Sequence, residues 1–279
     1  MLDEMKISEN VYAITNGKTI GNVAAYVLPT KIVVVDTGMN IPYLEAFREK
    51  IEKKEGKKVE QLILTHYHGD HIFGNQVFKD CEIIACNNVN ERMKESLENE
   101  WTEEKLEEWK KSAEDPSALE GLEIVLPNKL FDDEFEITDN DFSIQIERTG
   151  GHTEGSTYTY SPNLKTLVAG DNLFVNRYPW GGDKTADPDK WIETLKKYLA
   201  LDVEYYVAGH GPIAGTDEVQ EFLDYILEVK ELMQKMIADN KSEESILKKS
   251  NKIKYYPPTR EESKQMTLKR WYQVWKEKS

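Results

Sequence analysis

Short apolar runs separated by turns dominate the first 40 residues. VYAIT, VAAYVL and KIVVVDTG are each strand-length and rich in β-branched or aromatic residues. Pro29-Thr30, between the last two, predicts a hairpin turn. Over residues 42–55 the pattern turns helical and heavily charged. QLILTH (61–66) and CEIIAC (81–86) predict two more buried strands, so consecutive strands give way to alternating strand and helix. Residues 90–113 differ, carrying Trp101 and Trp109 among many Glu and Lys residues. They predict a helical insertion, two helices joined near Thr102, whose hydroxyl can cap the second with Glu103 and Glu104 in its first turn. Two roles fit it: a solvated appendage, or a lid whose tryptophans face a pocket.

The second half returns to strands: LEIVLP, FEIT, FSIQIERT, STYTYS, TLVAGD and EYYVAGH. One helix intervenes at residues 188–199, with Asp187 as N-cap and Pro188 at its first position. After Gly215 the strand signal ends. Residues 216–240 form an amphipathic helix with Val219, Phe222, Leu223, Ile226 and Met233 at helical spacing. Ser242 caps a shorter helix, and Pro257-Pro258 breaks the chain. Thr259 and Glu262 then make a capping-box pattern for a last helix bearing Trp271 and Trp275. The expected organisation is a main domain over 1–215 and a helical extension over 216–279. The extension packs on the main domain or on a second subunit, which leaves a homodimer open.

The chain has 279 residues, 39% hydrophobic and 31% charged, enough for one large domain with an appendage. Its net charge of −15 disfavours nucleic acid and acidic membrane surfaces as partners. No apolar stretch is long enough to span a bilayer, and MLDEMKISEN has acids where a signal peptide needs a basic and then an apolar region. A cytoplasmic location is therefore expected. Cys81 and Cys86 are the only cysteines, which argues against a disulfide framework and for core packing.

The five histidines are not scattered. His66, His68 and His71 lie in LTHYHGDHIFGN, His152 in TGGHTEGS and His210 in VAGHGP, each group just after an apolar strand. Asp70 lies inside the first group and Asp171 ends LVAGD. A carboxylate in such a setting is costly to bury without a partner, and a cation supplies one. Five imidazoles and two carboxylates suit zinc or another first-row metal better than magnesium or calcium. Side chains alternate in extended chain, so His66 and His68 can point the same way. Gly69 permits a bend that sends Asp70 and His71 elsewhere. One loop can thus offer ligands in two directions, which favours two nearby metals over one.

In order along residues 1–215, H-x-H-x-D-H, G-G-H-T, G-D and G-H-G-P resemble the metallo-β-lactamase superfamily. The resemblance implies an α+β protein, a four-layer αββα sandwich with its metal site at one edge between the sheets. It implies that His66, His68 and His152 bind a first metal, that Asp70, His71 and His210 bind a second, and that Asp171 bridges them. Asp36, in VVVDTG, would stand behind the ligands and orient them. Thr153, with Ser156, would do the same or simply form a turn. Two zinc ions are expected, with iron or manganese as alternatives.

Such a pair can acidify a shared water. The resulting hydroxide would attack a small carbonyl substrate, with Asp70 orienting it and relaying a proton. Thioesters, esters and lactones are the expected substrates, with weak β-lactamase activity as a further prospect. Asp171 and the chain's ending resemble glyoxalase II-like and sulfur-oxidation-associated hydrolases. Phe174 stands where acyl-homoserine lactonases carry a tyrosine, which argues against that branch. Lys252, Lys254, Tyr255 and Tyr256 read as a basic surface loop rather than a glutathione site. Tyr178 and Trp180, in a Pro/Gly-rich loop after Asp171, are candidates for the pocket wall. Two other readings stand beside the hydrolase: a mononuclear iron enzyme like the persulfide dioxygenases, and a non-catalytic metal-binding protein.

Overall fold

The computed structural model describes residues 2–112 and 115–279. Residue 113, where the insertion was expected to end, lies outside the described residues. The first half runs β1 (Lys6–Ser8), β2 (Val11–Ile14), β3 (Val23–Val27), β4 (Ile32–Val35), α1 (Ile41–Glu55), β5 (Val59–Ile63), α2 (Gly69–Ile72), β6 (Glu82–Cys86), α3 (Asn87–Asn99), α4 (Glu103–Ser112) and β7 (Lys129–Phe131). The second half runs β8 (Glu134–Asp139), β9 (Phe142–Arg148), β10 (Thr157–Ser161), β11 (Thr166–Phe174), α5 (Pro188–Ala200), β12 (Tyr205–His210), α6 (Thr216–Ala238), α7 (Glu243–Ser250) and α8 (Glu261–Glu277).

Strands β1 to β7 form one sheet in chain order, and β12-β11-β10-β9-β8 form the other. Both are mixed: β4, β5, β6 and β7 run parallel, as do β11 and β12, while the hairpins are antiparallel. Strands β3 and β4 are buried along their whole length. Uniformly apolar strands of this kind need cover on both faces. Leu44, Phe47 and Ile51 of α1 join the core of the first sheet. The second sheet packs behind it, where the Tyr26 hydroxyl pairs with Thr159 Oγ1 at 3.0 Å. On the far side, Trp191, Phe222 and Trp271 of α5, α6 and α8 share a core with β10 to β12. The layering is the αββα sandwich, with the C-terminal helices in its outer layer.

Local signals explain the helix ends. Asn40 accepts from the Tyr43 N–H at the start of α1, and Gly56 ends it at φ 65°. Asp187 accepts from the N–H groups of Asp189 and Lys190. Two expectations need correction. LEIVLP forms no strand: it runs alongside the core with its apolar side chains partly buried, and no neighbouring strand pairs with it. The capping box at Thr259 and Glu262 does not form either. Helix α8 starts one residue later, with Arg260 at the N-cap and no side-chain cap.

Cys81 and Cys86 are buried and free. No helix among the described residues is long and apolar enough to cross a membrane.

Candidate metal centre

All five histidines converge where the two sheets meet at one edge. The first three leave the end of β5 on the 64–71 loop, His152 follows β9, and His210 ends β12. Asp171 comes from the middle of β11, whose register against β12 shifts on both sides of Gly170. Gly170 takes φ +53°, and a methyl there would lie 2.5 Å from Thr65 Oγ1. Only glycine therefore lets β11 bend toward the histidines. Gly209 on the neighbouring strand β12 is equally constrained: a methyl there would lie 1.9 Å from Asp171 Oδ1.

The Asp171 carboxylate divides the cluster. Its Oδ1 lies 3.1 Å from His71 Nε2 and 3.3 Å from His210 Nε2. Its Oδ2 lies 3.4 Å from His152 Nε2 and 3.8 Å from His66 Nε2. His68 Nδ1 closes the second group, 2.9 Å from His152 Nε2. Asp70 Oδ2 closes the first, 3.2 Å from His210 Nε2. One candidate ligand set is thus His66, His68, His152 and Asp171, and the other is Asp70, His71 and His210.

Buried polar atoms with no hydrogen bond should be rare. Three occur here together: His66 Nε2, His71 Nε2 and Asp171 Oδ1. Cations held by the two groups would satisfy all three, and the nitrogen-rich donor set suits first-row metals. The two clusters therefore fit a dinuclear metal site.

The ring nitrogens turned away from the cluster are held by the protein, which fixes each imidazole for ligation. His71 Nδ1 lies 2.8 Å from Asp36 Oδ2. Asp36 also accepts the Thr65 N–H and hydroxyl at 2.8 and 2.7 Å, so its oxygens are already engaged. This leaves it behind the ligands, even though it lies within range of His66 and His71. His66 Nδ1 faces Thr65 Oγ1, and His152 Nδ1 donates to the Trp180 carbonyl at 2.9 Å.

His68 Nε2 faces Asp183 Oδ2 at 3.4 Å. Asp183 was not expected from the sequence. It accepts the Tyr67 hydroxyl at 2.5 Å and both the N–H and hydroxyl of Thr185. Tyr67 in turn accepts from Arg92 of α3, which also pairs with Glu95. Helix α8 supports the same loop from outside: Thr267 accepts the Gly181 N–H at 2.8 Å, and Arg270 donates to the Ala186 carbonyl.

Burial pushes His66 well below its ordinary pKa, with His71 adding to the effect. Burial likewise lowers His152, to about 4, against the pull of Asp171. Both are neutral, as metal ligation requires. For His71 and His210 burial works the same way, but carboxylates outweigh it. Asp171, Asp36 and Asp70 raise His71, and Asp171 and Asp70 raise His210 to about 9. A metal bound there would work against that upward shift, because it takes the neutral imidazole.

A cleft of about 460 Å³ opens over the cluster. Trp180 forms part of its wall, its ring edge-on to His68 at 5.0 Å. Phe174, stacked on His210 at 5.4 Å, forms another part. Trp101 and Trp109 of the insertion also line the cleft, both against Phe73. Tyr178 is placed otherwise than expected. It is buried beneath the C-terminal helices, its hydroxyl 2.7 Å from that of Tyr225, and does not line the cleft. Thr153 bonds within its own turn, where its N–H and hydroxyl meet Ser156 Oγ at 2.9 and 3.0 Å.

The pattern of the metallo-beta-lactamase superfamily matches residues 16–210. The chain belongs to this superfamily. Among its relatives is the linear primary-alkylsulfatase of a Pseudomonas species, 24% identical over 223 residues. That match takes in 70% of this chain and 42% of the relative, so the chain spans less than half of that protein. A type 2 metallo-beta-lactamase of Elizabethkingia meningoseptica is 27% identical over 249 residues, 84% of this chain and 88% of the relative. In fold, the chain resembles the inverting sec-alkylsulfatase of Pseudomonas sp. with a TM-score of 0.70 at 16% identity, covering 96% of this chain and 49% of that one. It resembles the DIM-1 metallo-beta-lactamase with a TM-score of 0.62 at 17% identity, covering 80% and 95%. These metallo-beta-lactamase superfamily relatives are alkylsulfatases and β-lactamases, not specifically glyoxalase II.

Proposed function

We propose that this chain is a hydrolase that cleaves an ester-type bond in a small molecule with the help of two metal ions, zinc by preference. The observation that carries the reading is the Asp171 carboxylate, whose two oxygens face two separate histidine groups. His66, His68 and His152 would hold one ion, Asp70, His71 and His210 the other, and Asp171 both. Bound there, the metal pair would supply Lewis acidity to the electrophile and to a water nucleophile.

The chain's own residues do the rest. Burial would raise the Asp70 pKa, but His71 and His210 hold it below its ordinary value, so the carboxylate is ionised at neutral pH. It lines the cleft and can take a proton from the attacking water. Asp36, Asp183 and the Trp180 carbonyl fix the rings of His71, His68 and His152, so little reorganisation is needed during turnover. Phe174 and Trp180 give the cleft an apolar wall beside the reacting centre. Esters, thioesters and lactones suit this arrangement. The alkylsulfatase and β-lactamase relatives add sulfate esters and β-lactams to the candidates.

Metal analysis of the purified protein, with a hydrolysis screen across thioesters, lactones, alkyl sulfates, phosphoesters and β-lactams, tests the proposal. Two metals per chain and turnover that falls roughly 100-fold or more in Asp70→Asn are expected. A folded protein with at most one metal and no activity on any of these substrates would refute it. A single iron with oxygen uptake on glutathione persulfide would replace it with the dioxygenase reading.

A further inference from the structure

His152 and His210 lie far along the chain from the other three histidines, and each belongs to a different candidate ligand set. Each also sits on a turn whose backbone is held by one buried asparagine. Asn172 follows Asp171 on β11 and is fully buried. Its Oδ1 accepts the His152 N–H at 3.0 Å. Its Nδ2 donates to the Gly150 carbonyl at 2.9 Å and to Thr149 Oγ1 at 3.2 Å. One amide thus closes the turn on both sides of Gly151, where a methyl would lie 2.6 Å from Asn172 Oδ1. The clamp is itself anchored, because Trp191 Nε1 donates to the Asn172 carbonyl at 3.0 Å.

Asn22 does the same for His210, from the other sheet. It precedes β3 and is buried. Its Nδ2 donates to the carbonyls of Ala208 and Gly211 at 2.8 and 2.9 Å. Its main-chain N–H donates to the Gly209 carbonyl at 2.8 Å, and the His210 carbonyl accepts the Val175 N–H at 3.0 Å. Every carbonyl from 208 to 211 is therefore engaged, three of them by one residue. Gly21, beside it, lies against Asp70: a methyl there would meet the Asp70 carbonyl oxygen at 2.1 Å. Residues 21 and 22 thus wedge between the two backbone segments that carry Asp70 and His210, which belong to the same ligand set.

An amide is what these places need. It supplies two N–H donors without charge, and at 172 an acceptor as well. A carboxylate would set oxygen against carbonyl oxygen, and an aliphatic side chain would leave buried carbonyls unpaired. Freed carbonyls would turn toward other donors and carry the histidine with them. Metal–ligand distances tolerate shifts of only about 0.2 Å.

We infer that Asn172 and Asn22 are positioning residues, one for each metal. Asn172 sets His152 for the ion shared with His66 and His68, and Asn22 sets His210 for the ion shared with Asp70 and His71. Both act through the backbone, apart from the groups that hold the imidazole nitrogens. The inference rests on the two-metal reading of the site and on nothing about the substrate.

The chain's five histidines make the test direct. The full-length protein is stripped with a chelator and titrated with buffered zinc, and nitrogen-15 NMR follows each imidazole separately. In Asn172→Ala, His66, His68 and His152 should need roughly tenfold or more zinc, while His71 and His210 respond as in wild type. Asn22→Ala should show the reverse. Asn→Ser, which keeps one donor, should recover part of each loss. Circular dichroism identifies an alanine variant that does not fold, and the serine variant is then read in its place. A merely structural role would weaken both sets alike, so equal weakening in either variant would overturn the inference, as would no change in the variant's own set. Wild type that takes up only one zinc would sink the two-metal reading instead. Two zinc ions without the crossed pattern would sink this inference alone.

Discussion

Asp36 Oδ2 lies 2.8 Å from His71 Nδ1, on the side of the ring away from Asp171. The carboxylate sets both the orientation and the protonation of that ring, because the remaining nitrogen must face the metals as an acceptor. Asp36 itself sits at φ 57°, a conformation that asparagine tolerates well. Asp36→Asn is therefore a clean probe of the carboxylate. We expect it to fold and to lose roughly 10- to 100-fold in metal affinity, measured by competition with a chromogenic chelator. Full affinity in the variant would remove Asp36 from the centre.

Gly209 is the tightest point of the cluster. Gly209→Ala would drive a methyl to within 1.9 Å of Asp171 Oδ1, so Asp171 must leave its position between the histidine groups. Metal analysis should find less than one ion per chain. Gly215→Ala is the control, since the nearest atom to its added methyl is 3.6 Å away. It should load normally.

Tyr178 and Trp180, two residues apart, should separate on mutation. Tyr178→Phe removes a buried hydroxyl from its pairing with Tyr225. It should cost about 1 kcal/mol in urea unfolding and leave kcat and KM unchanged. Trp180→Ala keeps the carbonyl that holds His152 but opens the cleft wall. Its effect should appear mainly in KM, and a Tyr178→Phe variant with altered KM would contradict the placement.

Acid should loosen the C-terminal helices through Asp189. Burial works against its charge, yet Lys230, Lys278 and Trp275 together lower its pKa from 3.8 to about 2. A lowered folded-state value means that the stabilisation is complete above the unfolded value of 3.8 and fades as pH falls toward 2. Fluorescence of Trp271 and Trp275 should report the loss in that window. In Asp189→Asn that part of the acid limb should flatten.

Metal removal should cost stability as well as activity. A ligand that binds only the folded chain stabilises it by about 2.7 kcal/mol at a free concentration 100 times its Kd. Dialysis against a chelator should therefore lower Tm, and zinc should restore it. An unchanged Tm would argue against structural coupling of the site.

The histidine cluster was legible because its ligands sit in short motifs directly after apolar strands. Asp171, which ends such an apolar run too, lies within the same cluster. What holds the histidine rings from behind was legible only in part: Asp36 was expected there and Asp183 was not. Asp183 reaches His68 across 115 residues of chain, and neither periodicity nor spacing announces such a pairing. Tyr178 read as a pocket residue because sequence proximity to Asp171 says nothing about which side of β11 the following loop faces. LEIVLP has the composition of a strand, but a strand also needs a neighbour, and composition cannot supply one. The cap at Thr259 failed for a related reason: the motif permits a helix start but does not compel one, and α8 begins where its packing puts it.

The chain of contacts from Arg92 through Tyr67 and Asp183 to His68 joins the insertion to the metal centre. A coupling of this kind runs in both directions, because the free energy shared by two equilibria belongs to neither alone. Filling the site should therefore tighten α3, and anything that presses α3 down should make the metals harder to lose. A half-exposed helix and the histidines at the meeting of the two sheets would then answer to a single equilibrium.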